Sequence, residues 1–384
     1  MTKSTANRLL RIVSGFGLVW AASAIAGGSS RPGSNPFEAG SGVNLDELAK
    51  SQSLAPLNLI VSSNVAGKLG PCGCSINPKG GVDRRHNFIE SSKTLTGTTL
   101  ILDAGNALFP TRTLDPSLVT KQRERAKKIA QTHKALGIEV QNVGLLDLAS
   151  GLDYLSALAK ETGLALISTN IVRAADGKAP FADAYVKEVP GVGKVLVLGL
   201  SALSAEVVGV KSLDPVESTK AQIQKHKPKV TIVLSDLGQS EDLNLMAKVG
   251  QALVVIGGRD LNAIDIPLHA GSGVLIQPGI QGQQLGVFRM ASIKGFSAWR
   301  NLTQDKALAN RWNQLVSENA YVQKQESSED KKRSLERIQE SFAELSKYAQ
   351  TDINNSWPYA YELYDLDERY AQKNKFTKLA LEDQ

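Results

Sequence analysis

Apolar positions along this chain change their period twice, and the changes divide it into three parts. From Leu57 onward, short apolar runs alternate with amphipathic stretches. Leu57–Ser62, Thr98–Leu102, Glu139–Val143 and Leu164–Ser168 are brief and rich in branched or apolar residues, which marks buried strands. Between them Val82–Ser92, Ser117–Leu136 and Leu148–Thr162 repeat at helical spacing. The first of these opens at Gly80-Gly81 and the second stops at Gly137, a natural C-cap. Ala184–Val189 and Lys194–Leu200 flank Pro190-Gly191-Val192-Gly193, a hairpin signal. A helix near Val216–Lys225 follows, then strands at Val230–Leu234, Ala252–Ile256, Ala263–Pro267, Val274–Gln277 and Leu285–Met290. Helices alternate with strands early and strands crowd late, which predicts an α/β layered domain with mixed sheets over residues 55–295.

After Arg300 the period lengthens. Leu308, Trp312, Leu315 and Val322, then Leu335, Ile338, Phe342, Leu345 and Ala349, fall on a narrow seam around a polar stretch at Gln323–Ser334. This predicts a helical C-terminal extension over 301–384, either one long helix or an antiparallel pair. The seam is core against its own domain or, as a coiled coil, the face that takes a protein partner. Trp357–Tyr370 (WPYAYELYDLDERY) closes it with an aromatic and acidic tail that packs back or binds that partner.

The N-terminus has a different pattern. Lys3, Arg8 and Arg11 precede an apolar stretch, Ile12–Ala26, that ends in a small-x-small site at Ala24-Ile25-Ala26. Residues 1–26 therefore read as a cleaved Sec-type signal peptide, too short in its apolar part for a retained span. Residues 27–54, rich in glycine and serine, read as a flexible tether. The expected location is periplasmic or secreted, from a bacterium, with no membrane span after cleavage. The net charge of +6 is spread among acids without interleaved aromatics, which argues against nucleic acid as a partner.

Export makes the two cysteines informative, because an oxidising compartment permits a disulfide. Both lie in Gly70-Pro71-Cys72-Gly73-Cys74. Across one glycine, Cys72 and Cys74 form a metal or redox site, holding one Cu or Zn ion as thiolates or closing into a strained, exchangeable disulfide. The bland alternative is an inert pair that binds no metal and shapes a loop.

Taken in order, six blocks resemble the exported metallophosphoesterases of the 5′-nucleotidase type. They are Leu59–Gly67 (LIVSSNVAG), Ile101–Leu108 (ILDAGNAL), Leu136–Gly151 (LGIEVQNVGLLDLASG), Val233–Gly238 (VLSDLG), Val255–Leu261 (VIGGRDL) and Gln277–Phe288 (QPGIQGQQLGVF). Cys72-Gly73-Cys74 followed by Gly80-Gly81-Val82-Asp83-Arg84-Arg85 resembles a divergent branch of that family. The resemblance implies a calcineurin-like metallophosphoesterase sandwich, two mixed β-sheets flanked by helices. It also implies a strand-end centre where, in the family, two metals clamp a phosphate and generate hydroxide. Set against the family's ligands, this chain has Asn64 and Ala66 in the first block and Asn106 in the second. Leu145 and Leu146 stand in the third, Asp236 replaces a lone histidine, and Arg259 and Leu261 replace the last two. His86, His133, His226 and His269 fall at none of these places.

Leucine and alanine offer nothing to an ion, so the expectation is a catalytically degenerate pseudoenzyme rather than a phosphatase. Asp147, Asp236 and Asp260 are the candidate residual ligands, suited to a hard cation. Arg84, Arg85 and Arg259 are candidate anion-binding groups, Arg259 with a cation where the family has a metal ligand. The alternative function is a phosphohydrolase of nucleotides or other phosphate esters with a rebuilt metal site.

Overall fold

The structure, a computed structural model, describes residue 45 and residues 56–71, 76–203, 207, 209–291, 298–349 and 356–382. The expected signal peptide, most of the tether, and both Cys72 and Cys74 lie outside the described residues. Two units are distinguished, one of Leu45–Trp299 with Trp357–Gln384, the other, among the described residues, of Arg300–Ser356.

The larger unit begins with parallel strands β1 (Leu57–Ser62), β2 (Thr98–Asp103), β3 (Val140–Asn142) and β4 (Leu166–Ile167). Helices α1 (Val82–Ser91), α2 (Val119–Ala135) and α3 (Leu152–Thr162) connect them. A short strand β5 (Ile171–Arg173) precedes the hairpin of β6 (Tyr185–Val189) and β7 (Gly193–Ser201), and β8 (Val210–Ser212) pairs back on β5. Then come α4 (Pro215–His226), β9 (Val230–Asp236), α5 (Gln239–Val249), β10 (Leu253–Gly257), β11 (Ile264–Ala270), β12 (Gly273–Gln277) and β13 (Gln284–Met290). After β14 (Trp299–Asn301) the chain forms α6 (Leu302–Gln323) and α7 (Glu329–Ala349), then β15 (Trp357–Asp365) and α8 (Thr377–Leu381). Within the larger unit one sheet runs β15-β13-β1-β2-β3-β4 and the other β11-β12-β10-β9-β7-β6.

Alternation along each strand sets the layers. Leu57, Leu59 and Val61 of β1, Val195 and Val197 of β7, and Ile232 and Leu234 of β9 enter one core between the sheets. Ile60 of β1 turns the other way, into a cluster with Phe88 and Ile89 of α1, Ile129 of α2 and Leu155 of α3. Leu196, Leu198 and Leu200 of β7 likewise turn outward, onto Val216 and Ile223 of α4 and Leu245 and Met246 of α5. The result is a four-layer α/β/β/α sandwich. Every parallel pair (β1 with β2, β2 with β3, β3 with β4, β7 with β9, β9 with β10, β10 with β12) directs its carboxyl ends to the same kind of edge, the usual place for ligands in such sheets.

Besides the short elements β5, β8, β14 and α8, two larger ones depart from the sequence reading. Helix α5 is not expected there, because its first turn is capped from outside: Asp260 Oδ2 accepts the Gln239 amide at 2.7 Å. The aromatic run from Trp357 packs back, one of the two expected outcomes, but as a strand rather than as part of a helical extension. It is β15, paired with β13 from Gln284↔Asp365 to Met290↔Tyr359, with Tyr359 stacked on Phe288 at 4.9 Å.

In the smaller unit, Asn301 Oδ1 accepts the Thr303 and Gln304 amides at 3.0 and 3.2 Å and starts α6. Arg300 and Asp305 form a buried ion pair at 2.8 Å. Trp312 of α6 meets Phe342 of α7 edge-on at 4.7 Å, while Leu315 and Ile338 line one groove of about 410 Å³. These pairings make α6 and α7 an antiparallel pair, not one helix.

Candidate functional site

Loops at the carboxyl ends of β1, β2, β3, β9 and β10 are stitched together by polar side chains from the sequence blocks singled out above. The register of β1 on β2 sets Ser62 beside Asp103, and Ser62 Oγ donates to Asp103 Oδ2 at 2.5 Å. The chain then turns through Asn64 and Ala66, whose φ values of 46° and 51° are left-handed. Three amides in this turn, Asn64, Ala66 and Gly67, donate to the carbonyls of Gly105, Asn106 and Ala107 at 2.9–3.0 Å. Asn106 (φ 58°) and Gln281 (φ 56°) are left-handed too, so strain concentrates at this edge.

Asp147 is a loop staple. Its Oδ1 accepts the amides of Ala107 and Leu108, each at 2.9 Å, and its Oδ2 accepts those of Asn106 and Gly144 at 2.8 and 2.9 Å. Burial pushes its carboxyl up to about 7 against the pull of these amides, and the nearby Asp103 adds to the push. Gly144 is obligatory, since a β-carbon there would sit 2.6 Å from the Asn106 nitrogen. Asn106 is saturated as well: Nδ2 donates to Asp236 Oδ1 at 2.7 Å and to Gly258 O at 3.1 Å, and Oδ1 accepts the Leu146 amide at 2.8 Å.

Asp236 is the hub. Beyond Asn106, it accepts the Leu145 amide on Oδ2 at 2.7 Å and a two-pronged Arg259 guanidinium, Nε to Oδ1 at 3.2 Å and Nη2 to Oδ2 at 3.3 Å. Burial raises its carboxyl, and Arg259 opposes that rise most strongly. Arg259 Nη2 also donates to the Ala202 carbonyl at 2.5 Å. Leu145 and Leu146 are half-buried beside this knot, and Leu261 is 66% exposed at its rim.

The other expected site residues lie elsewhere or serve the framework. Asp260 caps α5. Arg84 Nη1 donates to the carbonyls of Pro78 and Leu366, which fixes the return leg of the loop that carries the cysteines; Pro71 and Gly80 bridge its base. Arg85 is buried, donating from Nη1 to His133 Nε2 at 3.2 Å, while His133 Nδ1 faces Gln141 Oε1 at 2.8 Å. Arginine can only donate, so the proton of His133 is on Nδ1. Burial, with the Arg85 charge, lowers this imidazole to about 3 and keeps it neutral. Arg84 thus faces protein acceptors, while Arg85 gives Nη1 to His133 and its buried Nε has no hydrogen-bond partner among the described residues. Only Arg259 of the three expected anion receptors is at the strand-end knot.

Sequence reasoning missed Asn142, Ser201 and Asp103. Asn142 Nδ2 donates to Ala104 O and Leu200 O at 3.2 and 3.0 Å, and Ser201 Oγ donates to Val143 O at 2.6 Å, which ties the two sheets at this edge. The available signal was a polar residue closing an apolar strand.

The family resemblance implies a metal pair here, and the donor set does not fit one. All lone pairs of Asp147 face amides, those of Asp236 face amide and guanidinium donors, and Ala66, Leu145 and Leu146 have none. Among the described residues no three His, Cys, Asp or Glu side chains are grouped to hold an ion.

No family model matches the sequence, and no curated protein matches it. Solved structures do. A 5′-nucleotidase precursor from Thermus thermophilus aligns with a TM-score of 0.58 at 18% identity, over 85% of this chain and 57% of that one. The sulfate thiohydrolase SoxB, also of Thermus thermophilus, gives 0.51 at 14%, over 61% and 54%. The calcineurin-like phosphoesterase YfkN of Bacillus subtilis gives 0.50 at 14%, over 78% of this chain and all of that one. The chain thus spans little more than half of the two Thermus proteins. Such identities establish architecture alone: the larger unit is a calcineurin-like metallophosphoesterase sandwich of the kind found in 5′-nucleotidases.

Proposed function

We propose that this is an exported protein that keeps the phosphoesterase scaffold without its hydrolytic metal centre, and that its chemistry resides in the Cys72/Cys74 loop. The observation that carries the first half is the closed knot of Asp147, Asn106, Asp236 and Arg259, in which every carboxylate lone pair already has a donor. A guanidinium bound in two prongs to Asp236 supplies a fixed positive charge where a divalent ion would otherwise balance the acid. For the second half, the support is the framing of the loop. Its base is bridged at Pro71 and Gly80, its return leg is held by Arg84, and Lys79 pairs with Asp365 at 2.6 Å. Two thiols one glycine apart in the sequence between these anchors suit a soft metal or thiol–disulfide exchange. The helical pair then serves as the interaction arm.

The test is metal content, thiol count and phosphatase turnover on the mature protein and on the Cys72→Ser/Cys74→Ser double variant. Turnover is assayed with nucleotide and nitrophenyl esters under Mg²⁺, Mn²⁺ and Zn²⁺. The expected result is no turnover in either protein, with bound Cu or Zn, or a reducible disulfide, in the wild type only. Metal-dependent turnover that survives the double substitution would overturn the reading in favour of a rebuilt phosphohydrolase.

A further inference from the structure

Behind the strand-end knot, on the outer face of the second sheet, two buried oxygens lack donors among the described residues: Asp242 Oδ2 and Gln277 Oε1. Both residues are essentially inaccessible, at 0% and 1% exposure. The sheet register brings them together. Ser235 of β9 pairs with Gly257 of β10, and Ile256 of β10 pairs with Ile276 of β12, so Ser235, Gly257 and Gln277 form one cross-strand row on one face. Ser235 Oγ donates to Asp242 Oδ1, which places the Asp242 carboxyl over that row. Gln277 Oε1 lies over Gly257, where a β-carbon would collide with it. The missing side chain of Gly257 thus leaves room that Gln277 Oε1 enters, in the same row over which Ser235 holds the Asp242 carboxyl.

An unsatisfied buried acceptor costs about 1–3 kcal/mol, and here two of them belong to one cross-strand row. One hydrogen satisfies both. We propose that Asp242 is a carboxylic acid in the folded protein and that its Oδ2–H is donated to Gln277 Oε1. The shared proton ties α5 to the loop after β10 and is given up to solvent as the medium turns alkaline.

Geometry on the other side of Gln277 gives the proton its reach. Gln277 Nε2 donates to the carbonyls of Asp260 (3.2 Å) and Asn262, so the same amide that receives the proton holds the loop carrying Arg259. The charged groups bearing on Asp242 are Asp260 and Arg259 of that loop and Asp236 of β9. Helix α4 meets α5 through Val216 and Ile223, and β11 meets it through Ile264 and Leu268, all apolar. Burial foremost, then Asp260 and Asp236, push the Asp242 carboxyl up to about 7, against Ser235 and Arg259. Because the folded value lies above the unfolded one, the proton's contribution to stability is complete in acid and is lost as pH rises through about 7. Above that point two bare acceptors and three neighbouring carboxylates strain the loop that presents Arg259. The effect on Arg259 rests on the function proposed above; the proton itself does not.

The experiment compares urea unfolding of the wild type and Asp242→Asn at about pH 5 and about pH 9, on either side of the raised value of about 7. In the variant, the amide Nδ2 donates to Gln277 Oε1 at every pH. The loss of stability on going alkaline is expected to shrink by about one proton. An unchanged slope would overturn the proposal. Should the variant not fold, ¹³C-aspartate NMR of the wild type decides: one carboxyl titrating near neutrality in step with the Gln277 side-chain amide supports the shared proton, and no such titration refutes it. A slope in the wild type that Mg²⁺ or Ca²⁺ abolishes, with Asp242→Asn indifferent to the ion, would replace the proton by a cation. None of these readouts depends on phosphate turnover or on the cysteines, so their failure is separable from failure of the function proposed above.

Discussion

Asp147 and Asp242 are both buried carboxyls behind strand ends, and burial pushes both to about 7, yet their surroundings are opposites. Asp147 accepts four amide donors, two on each oxygen, so a proton there would displace a hydrogen bond. Asp242 has one hydroxyl donor and one bare oxygen beside another bare acceptor, so a proton there creates a hydrogen bond. Desolvation alone does not assign a protonation state; the sign of the partners does. The first acid is an architectural anion and the second a neutral acid.

The sharpest way to break this comparison is Asp147→Ala. It orphans four buried amides, at about 1–3 kcal/mol each, and the expected loss of about 4 kcal/mol or more is a large share of the roughly 5–15 kcal/mol that holds an ordinary domain folded. Urea denaturation followed by circular dichroism reads it directly, and a change of under about 1 kcal/mol would mean that water replaces the carboxylate freely. Gly144→Ala comes next. Its β-carbon meets the Asn106 amide at 2.6 Å and forces the staple apart, for about 1–3 kcal/mol in the same measurement. Smallest is Lys79→Ala at the half-exposed pair with Asp365, where water screens the charges: a change below about 1 kcal/mol in thermal unfolding is expected.

Much of the scaffold is legible in the chain itself. The apolar runs of β1, β7, β9, β10, β12 and β13 declare themselves because a strand buried on both faces needs no outside information. β15 did not, since an alternation of tyrosines with Glu362 and Asp365 reads as a surface tail until Phe288 and Met290 of a strand some seventy residues earlier supply its pairing. Helix α5 was hidden for a similar reason, its cap coming from Asp260 across a strand and a turn.

At the site, the blocks around Asn106, Asp147, Asp236 and Arg259 were visible in sequence order, and the structure sets those four side chains in one knot. Their present partners were not visible, because backbone amides carry no residue identity. Nothing in the letters at 107, 108 and 144 announces that their nitrogens converge on one carboxylate.

The path of the chain at Trp299 and Trp357 has a consequence for how this molecule can vary. The Trp357 amide donates to the Ala298 carbonyl at 2.8 Å, and the two indoles meet edge-on at 5.5 Å. The polypeptide therefore leaves the sandwich and re-enters it at a single doorway. A segment hung on such a doorway can be lengthened, shortened or exchanged without shifting the register of β13 on β15, since closing a longer loop adds only about 0.6 kcal/mol per doubling. The segment between the two tryptophans is in that sense a cassette, whose length can change while the sandwich keeps its register.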